Sequence, residues 1–136
     1  NLGTIIRTSE GAGMSGVIMS KESVDLFNPK VVRSTMGAIF RVKFCYVESL
    51  IDIIEEIKKS GYDVYATAME GSEVYDCDYT KGSAFIIGNE ANGVSDAVFE
   101  KASKRIRIPM EGKLESLNAA VSAAIIMYEM ARQKRK

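Results

Sequence analysis

Five short runs with strand character recur along the chain: GVIMS at 16–20, RVKFCYV at 41–47, DVYATA at 63–68, SAFIIG at 83–88 and RIRIP at 105–109. Segments with helical spacing lie between them. Strands separated by helices cannot pair as tight hairpins; they lie side by side in parallel, joined by crossovers. Ala84-Phe85-Ile86-Ile87 is apolar at successive positions, as a strand covered on both faces requires. The pattern predicts an α/β fold with a mainly parallel sheet and helices on both faces, one domain over 1–136. Helices are expected over 2–10, from near Asn28 to near Gly37 with Pro29 in the first turn, over 48–62, over 94–103 and over 116–136. The third places Leu50, Ile53, Ile54 and Ile57 on one face and ends at Gly61. The stretch 69–82 reads as a polar loop, and Ser116 as the N-cap of the last helix.

Composition narrows the chemistry. At 136 residues and 14.9 kDa the chain fits one core, and no apolar run approaches the ~20 residues that a membrane helix needs. Lysine plus arginine equal aspartate plus glutamate at 18 each, so nucleic-acid binding would rest on a local patch. There is no histidine, which removes the commonest general base, the commonest metal ligand and the Ser-His and Cys-His nucleophile pairs. Cys45 and Cys77 are far apart and outside any C-x-x-C, so neither a metal site nor a disulfide framework is expected, and a reducing cytoplasm fits. The chain opens on Asn1 rather than on methionine and shows no secretory leader, so a fragment of a longer protein is expected.

Residues 11–16, GAGMSG, spell G-x-G-x-x-G. In dinucleotide-binding folds a strand enters these glycines and a helix leaves them, so that free helical N–H groups face the pyrophosphate. Here a helix enters and a strand leaves. The glycines therefore read as a turn, and a nucleotide-binding oxidoreductase loses its support.

Parallel sheets bind ligands beyond the carboxyl ends of their strands, here the loops after Ala68, Ile87 and Ile108. In the second loop Gly88 and Gly93 permit close backbone approach while Asn89, Glu90 and Asn92 offer polar groups, although a tight turn uses the same residues. In the third, Asn118 falls two places into an apolar helix whose Leu117, Ala119, Ala120 and Val121 read as buried. An unpartnered buried amide costs roughly 1–3 kcal/mol, so Asn118 is expected to bond a ligand or a nearby backbone group. Arg7, between Ile6 and Thr8 on a helix expected to be mostly covered, needs an anion: either an acid such as Glu90, or a phosphate.

Three segments together resemble the SpoU/TrmH family of RNA methyltransferases in the SPOUT superfamily: NLGTIIRTSEGAG from Asn1, FIIGNEANGVSD from Phe85, and IPMEGKLESLNAAVSAAIIMYEMAR from Ile108. The resemblance implies a parallel α/β sheet with a deep C-terminal trefoil knot and S-adenosylmethionine held among Thr67, Ala68, Gly88, Ile108, Met110, Leu117 and Asn118. It implies a homodimer that methylates a ribose 2′-hydroxyl of tRNA or ribosomal RNA. Arg7 is then assigned to the phosphate beside the target ribose, Asn1, Ser116 and Asn118 to orienting the hydroxyl or one another, and Glu90 to holding Arg7 or Asn1. Arg33, Arg41, Lys43, Arg105, Arg107 and the tail 132–136 are candidate phosphate contacts, although the tail also complements a helix dipole. The alternative is a non-catalytic RNA-binding or assembly protein retaining the fold. Two features depart from the family pattern. Ala91 stands where glycine is frequent, and the strand, Asp-Pro-like turn and small RNA-binding domain expected before the first motif are not in the sequence.

Overall fold

In the computed structural model, which describes residues 1–89 and 92–135, the elements follow in the order α1 (Leu2–Gly11), β1 (Val17–Ser20), α2 (Pro29–Ser34), β2 (Phe44–Val47), α3 (Leu50–Lys59), β3 (Asp63–Glu73), β4 (Ser83–Ile86), α4 (Asp96–Lys101), β5 (Lys104–Arg107) and α5 (Ala119–Lys134). Single 3-10 turns occupy Ala38–Phe40 and Val74–Asp76. Several helices start where a side chain caps them. Asn28 Oδ1 accepts from the Lys30 amide at 2.9 Å, Ser49 Oγ from Asp52 at 3.3 Å and Ser95 Oγ from Val98 at 3.3 Å, each satisfying an otherwise orphan N–H.

All strand pairs are parallel, as the alternation requires, but among the described residues they form two sheets rather than one. β1 pairs with β2, with Val17 opposite Phe44; β3 lies between β4 and β5, with Val64 opposite Ala84 and Tyr65 opposite Lys104. The second edges of β1 and β4 border a slot of about 680 Å³, closed by Ile53 and Ile57 of α3 and by Met127 and Met130 of α5. Packing follows the period of the strand. On β3, Val64 faces Ile54 and Val98 on the side of α3 and α4, whereas Tyr65 faces Ile126 and Met130 of α5. A third cluster of Ile6, Met19, Leu26, Ala38, Ile39 and Val42 joins α1 to β1 and the first 3-10 turn.

The stretch 69–82 is not a solvated loop. β3 runs on to Glu73, and Val74, Cys77 and Tyr79 are buried. The Tyr79 ring stands edge-on to Tyr65 at 5.0 Å, and its hydroxyl donates to the Val74 carbonyl at 2.7 Å. Burial raises the pKa of this phenol, so it remains a donor. α5 clamps the segment through side chains. The Tyr79 amide donates to Gln133 Oε1 at 2.7 Å, while Gln133 Nε2 donates to the Cys77 carbonyl at 2.8 Å and to Glu129 Oε2 at 2.9 Å. Glu129, only 7% exposed, accepts two bonds of 2.8 Å from Arg132, which hold its carboxyl below the usual range against the opposing effect of burial.

Around β5 the ladder is unusual. Ile106 pairs with Thr67 and also with Ser72, and Arg107 pairs with Glu73, so residues 68–71 leave the register and return to it at the same point of β5. Gly71, at φ +125°, makes this possible, since a Cβ there would lie 2.5 Å from the Arg105 carbonyl oxygen.

Removing the buried Ile106 side chain opens a cavity at this junction, so Ile106→Ala should lower unfolding free energy in urea by about 2–5 kcal/mol. Because Glu129 has a lowered pKa in the folded state, the stability it contributes is present above its ordinary value of 4.5 and is lost as the pH falls through the lower folded value. Glu129→Gln should therefore flatten the acid limb of a urea-midpoint-versus-pH plot; an unchanged limb would show that the clamp carries no such linkage.

Candidate functional site

Because β3, β4 and β5 are parallel, their carboxyl ends lie on one side, and there the following loops enclose a cavity of about 920 Å³. Thr67 and Ala68 contribute from β3, Gly88 from the loop after β4, and Ile108, Met110 and Leu117 from the connection to α5. These six residues, distant from one another in sequence, share one cavity. Ser116 lines it as well, as an exposed loop residue preceding the helix rather than as its cap. Gly88 serves the loop's own closure: a Cβ would lie 2.3 Å from the Gly93 carbonyl carbon. Gly93 returns at φ +64° to bond the Asn89 carbonyl at 2.8 Å, and Asn89 Oδ1 accepts from the Asn92 amide at 2.7 Å. Thr67 Oγ1 is committed to the Ile86 carbonyl at 3.0 Å, which ties two of the loops at their roots.

Asn118 requires a correction. It is exposed, and it is the N-cap of α5 rather than a residue inside the helix. Val121 is exposed too, at 48%. The physical reason is capping: Asn118 Oδ1 accepts from Ala120 N at 2.9 Å and Val121 N at 3.2 Å, which is how a helix recruits an asparagine. Its amide does find specific partners, however. Nδ2 donates to Asn1 Oδ1 at 3.1 Å, joining the N-termini of α1 and α5.

Arg7 is exposed, not covered, and makes no ion pair among the described residues. It stands on α1 one turn from Gly3 and one turn from Glu10. Gly3 abuts α2 so closely that a Cβ would lie 1.6 Å from Ser34 Oγ, and Glu10 Oε1 accepts from Arg41 Nε at 3.2 Å. Arg7 thus shares the side of α1 that carries Gly3 and the Arg41-bound Glu10, and Arg33 is exposed in the last turn of α2. Glu90 and Ala91 lie outside the described residues, as does Lys136.

Three other candidate cations are already engaged. Arg107 donates to the Gly71 carbonyl and pairs with Glu73 at 3.2 Å, Arg132 is held by Glu129, and Arg105 lies 4.1 Å over the Phe99 ring. The Arg105–Phe99 pair lines the cavity; no motif marks it in the sequence, although alternation in RIRIP puts Arg105 and Arg107 on one face opposite Ile106. No group of three or more His, Cys, Asp or Glu residues able to hold a metal occurs among the described residues.

Residues 1–128 match the SpoU rRNA Methylase family. The chain belongs to that family. The 23S rRNA (guanosine(2553)-2'-O)-methyltransferase of Bacillus subtilis is 37% identical over 131 residues, spanning 96% of this chain and 52% of that protein. AviRb, the SpoU methyltransferase of Streptomyces viridochromogenes solved in complex with the cofactor AdoMet, superposes with a TM-score of 0.89 at 33% identity, covering 97% of this chain and 55% of that one. An AdoMet-bound rRNA methyltransferase from Sinorhizobium meliloti gives a TM-score of 0.89 at 36% identity, with 96% and 51% covered. The chain spans about half the length of these relatives.

The cavity of this SpoU-family chain suits a nucleoside-sized ligand. Its volume lies within the roughly 300–1,000 Å³ of small-molecule sites, and it combines apolar side chains with strand-end backbone groups able to hydrogen-bond a base and a ribose. For Asn118 the two roles separate by substitution. Asn118→Ala should lower stability by about 1 kcal/mol through the lost cap. Asn118→Asp keeps the capping oxygen but not the donor to Asn1, and thermal unfolding should place it between the wild type and Asn118→Ala.

Proposed function

We propose that residues 1–136 form the catalytic domain of an S-adenosylmethionine-dependent RNA methyltransferase acting on a ribose 2′-hydroxyl of tRNA or ribosomal RNA. The observation that carries this reading is the convergence of Thr67, Ala68, Gly88, Ile108, Met110 and Leu117, from three separate strand ends, on one cavity. S-adenosylmethionine bound there, by backbone groups of those loops, would supply an electrophilic methyl group. What remains for the residues of the chain is positioning, because the 2′-oxygen must lie in line with that methyl and shed its proton. Asn1 and Asn118, already joined, are proposed to orient the hydroxyl with Ser116, and Glu90 to hold Arg7 or Asn1. Arg7 is proposed to bind the adjacent phosphate as a fixed cation rather than to act as a base, because a guanidinium stays protonated in proteins. Arg33 and Arg41 extend the same phosphate-binding face.

The trefoil knot belongs to this proposal. Support comes from the two partners of Ile106: a strand residue offers one ladder edge on each side, so Thr67 and Ser72 would flank β5 and the chain from 67 to 83 would encircle it. A homodimer is supported by α5, whose outer face exposes Val121 and Tyr128 seven residues apart with the partly buried Ala124 and Ile125 between them, apolar groups beyond those the core uses. The slot between β1 and β4 is proposed to take a further parallel strand of the same protein, since both bordering edges lack a strand partner among the described residues. A reducing, cytoplasmic setting accords with free Cys45 and Cys77, and no helix among the described residues is long and apolar enough to cross a membrane.

The second reading, a non-catalytic RNA-binding or assembly protein, is favoured by one observation: the Asn118 amide is spent on a cap and on Asn1. Calorimetry with S-adenosylmethionine decides between the two, since the enzyme should give saturable heat and the assembly protein none. With methyl-labelled donor and total RNA, digestion should then release a 2′-O-methyl nucleotide. Arg7→Ala should keep the calorimetric heat and lose turnover by about 100-fold or more; near-normal turnover would refute its proposed role.

A further inference from the structure

Between α2 and β2 the chain holds two large apolar side chains in solvent. Phe40 is 85% exposed and Met36 is 68% exposed. Their exposure does not come from a loose backbone. Met36 sits at φ +52° and Gly37 at φ +86°, and this left-handed corner is pinned on both sides. The Met36 amide donates to the Arg33 carbonyl at 3.3 Å and the Ala38 amide to the Thr35 carbonyl at 3.0 Å. Thr35 is fully buried with its hydroxyl on the Val32 carbonyl at 2.8 Å, and Ala38 and Ile39 are set in the core beside Ile6 of α1. The anchored frame thus turns the intervening side chains outward, where an unfilled apolar surface favours a partner.

Charge identifies that partner. Arg33 precedes the corner, Arg41 follows Phe40, and both are exposed. The Arg41 guanidinium is steered by Glu10, and one of its nitrogens passes 3.7 Å from the position a Cβ would take on Gly37, so a cation lies directly beside the corner. An exposed apolar ring on a segment bounded by two exposed arginines suits a polyanion that carries flat apolar faces, which is unpaired RNA. A duplex keeps its bases stacked within and cannot offer them to the ring.

We infer that Phe40 is a stacking platform for an unpaired nucleobase near the target ribose, with Arg33 and Arg41 on the flanking phosphates and Met36 at the margin. This rests on the proposed function and sharpens it: the substrate is single-stranded, or opened, where it meets the enzyme. Stacking depends on a flat ring and is tolerant of base identity, so the test needs no knowledge of the natural target.

The probe is a short unpaired RNA oligonucleotide with one central 2-aminopurine, alone or annealed to its complement. The wild-type protein should quench the fluorophore in the single strand and leave the duplex signal, already low through base stacking, unchanged. Phe40→Ala should abolish the quench and weaken single-strand binding by roughly 5- to 100-fold, with unchanged thermal unfolding. Phe40→Trp should restore both, and Phe40→Leu, apolar but not flat, should restore neither. Arg33→Ala should weaken binding and reduce its salt dependence while keeping the quench in the bound complex. Full quench with Phe40→Leu overturns the inference. So does a Phe40→Ala protein that binds RNA normally but sediments as a smaller species, which would make this a contact between two copies of the chain. S-adenosylmethionine calorimetry on the same samples keeps the two proposals apart: normal heat with a silent Phe40 removes only the platform, whereas absent heat with a Phe40-dependent quench removes only the methyltransferase reading.

Discussion

The cavity depends on how closely residues 68–71 can pass β5. β3 pairs with β5 up to Thr67, departs, and resumes opposite the same Ile106 at Ser72. That path requires Gly71, whose missing Cβ leaves room for the Arg105 carbonyl. Were the excursion wider, Thr67 and Ala68 would no longer stand beside the ends of β4 and β5, and the three loops would not border one shared cavity. Ile106, fully buried and paired with both segments, is the point at which strand pairing and core packing coincide.

α5 holds this arrangement from both ends by different means. At its start Asn118 spends its oxygen on the helix and its nitrogen on Asn1, so the order of the helix terminus and the approach of α1 are coupled. Sixteen residues of helix end in the other attachment, where Gln133, itself held by Glu129, grips the backbone at Cys77 and Tyr79. The segment following the excursion over β5 is therefore fastened to the same helix whose first turn borders the cavity.

Much of this arrangement is legible in the amino-acid sequence. The alternation of strands and helices specifies parallel pairing, and Asn28 and the acid-to-lysine polarity of α3 mark helix ends, because both signals are local and repeat with a clear period. What escapes is non-local. Val74, Cys77 and Tyr79 are single apolar residues set among polar ones, with neither a two-residue nor a helical period, and distant residues such as Tyr65, Ile126, Met130 and Gln133 make a buried segment of them. Asn118 misleads for a related reason. Leu117 and Ala120 on either side are partly or fully buried, which imitates a helix interior, while the capping role is decided by where α1 meets α5. Arg7 reads as covered because its sequence neighbours are apolar, yet neighbours on a helix point to different faces. The division into two sheets has no sequence signal, since each strand carries the same pattern in either arrangement.

The two halves of the proposed site are built on different principles, and this bears on how the chain could work without histidine. The cavity depends on close backbone approach at the strand ends, so it tolerates few changes at Gly71, where β3 passes β5, or at Gly88, where its loop closes. The neighbouring face of α1, α2 and the 3-10 turn is a side-chain construction, with Arg7, Arg33, Arg41 and Phe40 displayed on an anchored frame. The proposed reaction needs alignment more than proton shuttling, and across such a boundary one side would fix the donor by shape and the other the acceptor by charge and stacking. On that proposal, changes among exposed residues of the second face would alter which RNA is accepted, while the first stays constrained by the geometry of its own backbone.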